Sequence, residues 1–295
     1  MDYLDKYGYA PDREEIGRAI EMIAANMDNI ASEQVYKDCF SMMDLTTLKT
    51  DDTPASVAKL VEKVNAFHKS YPEWPLPASV CVFSNFAATV KEVRKEDFNI
   101  TVVSACFPSS QSFLEVKLKE VEMAVEQGAD EVDIVLALNA FLAGNYEVAA
   151  EEIRQVRRVI DEVAGKQGRN VHLKVILETG LLKTPENIAN ASFLAMEAGA
   201  DFIKTSTGKE AISATPEAAL IMCEAIKEYY KETGRKVGFK AAGGIDSVKK
   251  ALAYYTIVKE VLGEEWLNNG LFRIGASRLA NQLLADITDE ENKFF

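Results

Sequence analysis

Lys204 stands where an apolar residue is expected, directly after Phe202 and Ile203 in the stretch A-D-F-I-K-T-S-T-G-K. A lysine at the C-terminal end of an apolar strand is costly to bury as a charge. Desolvation lowers its pKa, and the neutral amine is a nucleophile toward carbonyls. The residues after it, Thr205, Ser206, Thr207, Gly208 and Lys209, offer amides and hydroxyls suited to a phosphate. The chemistry suggested is a Schiff base beside a phosphate cradle. A lysine that merely snorkels from a strand end has the same local sequence, so the rest of the chain must decide.

Other charged residues interrupt apolar runs in the same way. Asp133 lies between Val132 and Ile134, Lys174 between Leu173 and Val175, and Lys240 between Phe239 and Ala241. Side chains alternate faces along a strand. If the apolar neighbours face one way, Asp133, Lys174, Lys204 and Lys240 face the other. Asp44, Thr46 and Glu178 add polar groups at further strand ends. Two lysines brought close lower the pKa of one. Breaking a C–C bond through a Schiff base also needs a proton donor and acceptor, a role open to Asp133. A salt-bridge network of Asp133, Lys174 and Lys240 is the competing structural reading, although buried ions usually stabilise less than apolar replacements. Glycine-bearing turns at Gly243-Gly244 and at Gly275-Ala276-Ser277 extend the candidate phosphate site.

These residues need elements to hold them. Strand candidates cover residues 39–48, 78–84, 99–107, 131–138, 171–178, 200–204, 237–244 and 271–277. Helical patterns follow each, opened by Thr53-Pro54, Thr184-Pro185 and Thr215-Pro216 as N-cap and first-turn proline. Eight strand–helix units with near-continuous apolar strands predict a (β/α)8 TIM barrel. A doubly wound sheet is the alternative, but no G-x-G-x-x-G follows the first strand. Barrel chemistry sits at the C-terminal strand ends, and phosphates often bind after strands seven and eight. Ile16, Ile20, Ile23, Met27 and Ile30 are spaced as one helix face. Residues 1–38 are therefore expected to be an N-terminal helical extension and 39–295 the catalytic barrel.

The 295-residue chain carries a net charge of −13, which argues against nucleic-acid and anionic-membrane partners. Its start lacks the basic and apolar regions of a signal peptide, and no apolar run is long enough to span a bilayer. Four scattered cysteines with no C-x-x-C pair read as reduced thiols of a cytoplasmic protein. Two histidines without metal-ligand spacing offer no zinc site, so neither metal nor cofactor is expected.

D-E-V-D-I-V, L-K-V-I-L-E-T-G, A-D-F-I-K-T-S-T-G, G-F-K-A-A-G-G and R-I-G-A-S occur in that order. Together they resemble the deoxyribose-phosphate aldolase family, with the similarity running from Met42 to Leu279. The resemblance implies a class I, metal-independent aldolase that cleaves 2-deoxy-D-ribose 5-phosphate reversibly to acetaldehyde and D-glyceraldehyde 3-phosphate. It assigns the Schiff base to Lys204, proton transfer to Asp133 working with a water, and pKa perturbation and proton relay to Lys240. It also implies that Asp44, Thr46, Cys81, Gly208, Lys209, Gly243, Gly244, Gly275 and Ser277 bind or line the site of the phosphorylated sugar. Lys174 and Thr207 join them as substrate-binding candidates from their strand and loop positions, and the chain is expected to form a homo-oligomer, a dimer. This sequence departs from the family pattern in Arg278, where shorter members have a second serine. It also ends K-F-F, where some members carry a tyrosine in the tail. The amphipathic extension is expected to serve oligomer contacts. Two other readings remain open on residues alone: an aldolase acting on a ketose phosphate, and a barrel that binds a sugar phosphate without catalysis.

Overall fold

Eight parallel strands close into a barrel in chain order, β1 pairing with both β2 and β8. The computed structural model describes residues 3–288 and 293–295. The strands are β1 (Met43–Thr46), β2 (Ser79–Phe83), β3 (Asn99–Val103), β4 (Glu131–Val135), β5 (His172–Ile176), β6 (Phe202–Lys204), β7 (Gly238–Ala242) and β8 (Phe272–Ala276). Three helices precede β1: α1 (Tyr3–Tyr7), α2 (Arg13–Ile30) and α3 (Glu33–Ser41). Then come α4 (Pro54–Ser70), α5 (Ala87–Val93), α6 (Leu114–Glu126), α7 (Leu138–Leu142), α8 (Tyr146–Lys166), α9 (Thr179–Leu182), α10 (Pro185–Glu197), α11 (Pro216–Thr233), α12 (Val248–Leu262) and α13 (Leu279–Thr288).

The caps form where the sequence predicts them. Thr53 and Ser56 make a reciprocal capping box on α4, and Thr184 and Thr215 accept the amides of Asn187 and Ala218 at 3.2 and 3.1 Å. Each satisfies a backbone donor that the first helical turn leaves unpaired. Strand one starts later than expected. Residues 39–41 close α3, because Cys39 and Phe40 place their side chains on its buried face and Ser41 bonds back to the Asp38 carbonyl. Strand three stops at Val103, and Ala105 and Cys106 turn away with left-handed backbones. Their apolar character extended the expected strand past its true end.

Alternation along the strands separates two interiors. Val132, Ile134, Leu173, Val175, Ile203, Phe239, Ala241, Phe272 and Ile274 join the large cluster between strands and helices. The opposite positions fill the barrel with Asp44, Thr101, Glu131, Asp133, Lys174, Lys204, Lys240 and Arg273, all buried. The N-terminal helices lie outside the barrel, α2 on α11 and α12 and α1 on α10. Tyr7 stacks on Phe193 with centroids 4.4 Å apart. Tyr3, Tyr7, Ile16, Ile23 and Met27 are buried, so the apolar face expected to meet a second copy is largely covered by this chain. Phe294 and Phe295 pack on Phe67, and the Phe295 amide donates to Asn281 Oδ1 at 2.9 Å.

Candidate active site

Register sets the heights of the interior charges. Lys204 is paired with Ile176 on one side and Lys240 on the other, and Lys240 with Arg273. Asp133 is level with Lys174, one layer lower. The Lys204 amine donates to Asp133 Oδ2 at 2.8 Å, and Lys240 reaches the same oxygen at 2.7 Å. Gly275 lets the second lysine pass, since a Cβ there would lie 3.1 Å from Lys240 Cε and 3.0 Å from Ala242 Cβ.

Ion pairs join these groups into a ring. Lys240 meets Asp44 at 2.5 Å, Asp44 meets Arg273 at 2.6 Å, and Arg273 donates to both oxygens of Glu131 at 2.6 and 3.0 Å. Glu131 meets Lys174 at 2.5 Å, Lys174 meets Asp133 at 2.8 Å, and Asp133 returns to Lys240. Ser79 and Thr101 donate to Asp44 and Glu131 at 2.7 and 2.8 Å. Four cations face three carboxylates, so one positive charge lacks a counterpart. Lys174, Lys240 and Arg273 each touch two carboxylates closely, whereas Lys204 touches only Asp133, which it shares. The surplus falls on Lys204.

The pKa directions agree. Burial pulls the Lys204 amine down; Asp133 opposes this, the neighbouring Lys240 charge adds to it, and the net shift is downward. Burial also opposes charge on Lys240, but Asp133 and Asp44 hold it protonated well above the usual lysine value. Burial raises Asp133, but Lys174, Lys204 and Lys240 outweigh this and hold the carboxyl far below the ordinary aspartate range. An amine with a lowered pKa, a fixed ammonium and a fixed carboxylate thus share one point.

A cavity of about 410 Å³ opens above them. Thr46, Lys204, Thr207, Gly208, Lys209, Lys240, Gly243, Gly244, Gly275 and Ser277 line it, with Lys49, Asp246 and Arg278 at its wall. The N–H groups of Gly208, Gly243, Gly244 and Ser277 meet no acceptor among the described residues. Gly243 has φ of 91°, and a Cβ there would come within 2.6 Å of Ser213 Cβ. Lys209 donates to the Leu48 carbonyl at 2.6 Å, which draws the loop after β6 against the loop after β1.

Three residues expected to touch substrate do not line this cavity. Lys174 is wholly buried one layer below Lys204, where its partners are Glu131 and Asp133. Asp44 is wholly buried in the ring, held by Ser79, Lys240 and Arg273. Cys81 packs with Leu48 and Val103, and burial pushes its thiol pKa up. Alternation chose the correct face for Lys174, but it carries no information about depth; Asp44 was expected from its place on strand one and Cys81 from the resemblance.

Glu131 and Arg273 escaped the sequence reading, although the signal was present. Glu131 is two residues before Asp133, and Arg273 lies between Phe272 and Ile274, so both had the parity of an inward residue. Glu178 acquires a supporting position. It sits in a left-handed conformation with φ of 53°, and its carboxylate accepts from the Thr207 amide and hydroxyl at 3.2 and 2.5 Å. Thr207 in turn accepts from the Lys209 amide at 3.1 Å.

A family model described as DeoC/LacD family aldolase matches residues 39–272. The chain belongs to this aldolase family. It is 40% identical over 284 residues to a putative deoxyribose-phosphate aldolase of Caenorhabditis elegans, covering 92% of this chain and 88% of that protein. It is 42% identical over 254 residues to the deoxyribose-phosphate aldolase of Homo sapiens, covering 82% and 77% of the two chains. Among solved structures, the aldolase QR15 superposes with a TM-score of 0.68 at 26% identity, covering 86% of this chain and 99% of that one. The aldolase is thus a TIM barrel.

Proposed function

We propose that this aldolase cleaves 2-deoxy-D-ribose 5-phosphate to acetaldehyde and D-glyceraldehyde 3-phosphate, and runs the reverse addition. The observation that carries the reading is the unmatched amine of Lys204, beside the Lys240 cation and open to a cavity with unpartnered amides. The uncharged amine attacks the aldehyde carbon C1 to give a carbinolamine, and loss of water gives an iminium. The iminium draws the electrons of the C2–C3 bond as a base takes the C3 hydroxyl proton. Glyceraldehyde 3-phosphate leaves and an enamine remains. Protonation of that enamine at C2 and hydrolysis release acetaldehyde and restore the amine.

Asp133 stays ionised throughout, given its depressed pKa, so it suits the role of acceptor through a water better than that of direct acid. Lys240 keeps Lys204 uncharged and, being a cation, opposes its reprotonation. The amides of Gly208, Gly243, Gly244 and Ser277, with Lys209 and Arg278, suit the phosphate. Thr46, at the opposite wall, suits a substrate hydroxyl. Asp44, Lys174 and Cys81 enter the proposal as groups beneath the substrate rather than contacts to it.

The same reading takes residues 1–38 as an extension, 39–295 as the catalytic unit, and a cytoplasmic homodimer as the working form. Exposed Phe113 and Val116 at the start of α6, 79% and 55% accessible, suit a contact between copies. Light scattering on the purified chain measures the mass.

Borohydride trapping with acetaldehyde, followed by peptide mapping, tests the chemistry. An ethyl group on Lys204 supports the Schiff base, its position and the two-carbon donor together. An ethyl group on Lys240 or Lys174 overturns the roles, and an active but unmodified chain overturns the mechanism. Dihydroxyacetone phosphate, offered in place of acetaldehyde, should give no adduct.

A further inference from the structure

We propose that Arg273 is a positioning residue for the Schiff-base chemistry: by closing the buried ring with Glu131 and Asp44 it fixes the charge count beneath Lys204, and so the pH at which that amine turns nucleophilic. The inference rests on the reading under Proposed function. Arg273 touches neither Lys204 nor the cavity. It is 2% exposed, and its guanidinium lies 5.7 Å from the Phe202 ring centroid below Lys204. Its influence must pass through the carboxylates it holds.

The groups around Lys204 can be named strand by strand. Asp44 comes from β1, Cys81 from β2, Glu131 and Asp133 from β4, Lys174 from β5, Lys240 from β7 and Arg273 from β8. β3 contributes the neutral Thr101, and Glu178 follows β5. His172 at the ring's edge has Nδ1 4.0 Å from Glu131. Arginine cannot shed its proton in a protein, so it is a permanent cation. With it, the three carboxylates cannot match all three lysines. Without it, they can.

The two members of the closing pair should therefore act in opposite directions. Arg273→Met removes a cation, frees Asp44 toward Lys240, and lets Lys204 hold its proton to higher pH. Glu131→Gln removes an anion, enlarges the surplus, and makes Lys204 shed its proton at lower pH. The double variant Arg273→Met/Glu131→Gln restores the original surplus. Arg273→Lys keeps the charge. A role in packing alone gives no such reversal of sign.

Competitive acetylation of Lys204 as a function of pH, read by peptide mass spectrometry, measures the amine itself and does not depend on aldolase chemistry. The midpoint should rise in Arg273→Met and fall in Glu131→Gln, by about one pH unit or tenfold in reactivity at fixed pH. It should return close to wild type in the double variant and stay there in Arg273→Lys. If Arg273→Met does not fold, Glu131→Gln and the double variant still give a fall and its reversal. Equal midpoints, or shifts of one sign, overturn the proposal. Acetaldehyde trapping on the wild type, run in parallel, reports separately on the Schiff base: its failure sinks the aldolase mechanism, while the acetylation series alone decides the role of Arg273.

Discussion

Lys204 differs from the other interior cations in its number of partners, not in its burial. Lys174 and Lys240 are equally buried, yet each meets two carboxylates and stays charged. Lys204→Met should therefore abolish turnover and raise stability together. It removes the buried amine left without its own counterion, and Asp133 keeps Lys174 and Lys240. Exchanges of buried ions for apolar groups of this kind stabilise by about 1–3 kcal/mol, a difference that urea unfolding at pH 7 resolves. Lys240→Leu removes the charge that presses on Lys204 and leaves Asp133 to it and Lys174. The Lys204 pKa should rise, and the acid limb of kcat/KM should move to higher pH by about one unit or more. A pH–rate profile that does not move would contradict the electrostatic origin of the reactivity.

Helix starts were the most legible elements, because capping and first-turn proline are local chemistry. Thr53-Pro54, Thr184-Pro185 and Thr215-Pro216 all open helices as expected. Thr215→Ala should cost about 1 kcal/mol in thermal or urea unfolding through the lost Ala218 amide bond, with little change in kcat. Strand ends and short helices were less legible. α1, α7 and α9 have five, five and four residues, too few to nucleate alone; they persist on contacts such as Tyr7 on Phe193 and Phe141 on Tyr146. The turns after β6 and β7 approach each other so closely that Gly243 cannot gain a Cβ without displacing Ser213. Gly243→Ala should raise KM for the phosphorylated aldehyde much more than it changes acetaldehyde trapping on Lys204. It should also lower stability by about 1–3 kcal/mol, since its φ is positive.

For the whole molecule, the ring ties stability to pH through three sets of groups. Asp44, Glu131 and Asp133 titrate below their ordinary values in the folded chain. Their contribution is complete above an unfolded pKa of about 4 and is lost as pH falls toward the depressed folded values. Lys240 and Arg273 titrate above their ordinary values, so their contribution is complete below the unfolded pKa of about 10.4 for the lysine and fades only above it. Lys204 has the opposite sign. Its folded pKa is lowered, and its penalty shrinks as pH climbs from that value toward about 10.4. Urea midpoints should therefore fall steeply below about pH 4. Through the alkaline range they should creep upward, and Lys204→Met should remove that creep. Acid unfolding that starts well above pH 5 would contradict the ring. Removal of residues 1–30 should lower the urea midpoint, because Tyr3, Tyr7, Ile16, Ile23 and Met27 bury their side chains on the barrel.

Periodicity by itself determined the barrel, since eight apolar strands alternating with capped helices can bury their faces in few other ways. Parity along each strand also determined that Asp133, Lys174, Lys204 and Lys240 share one face, and local composition marked the glycine turns around the cavity. Only the tertiary structure decided depth. A period of two says which way a side chain points but not at which height of the barrel it ends, and height comes from the register between strands. Register puts Lys174 and Asp44 beneath the cavity and brings Arg273 from the far end of the chain onto Glu131 and Asp44. The identity of the lysine with the lowered pKa was likewise beyond the sequence, because it depends on counting the charges within reach of each amine, and those come from distant strands, Arg273 and Asp44 being 229 residues apart.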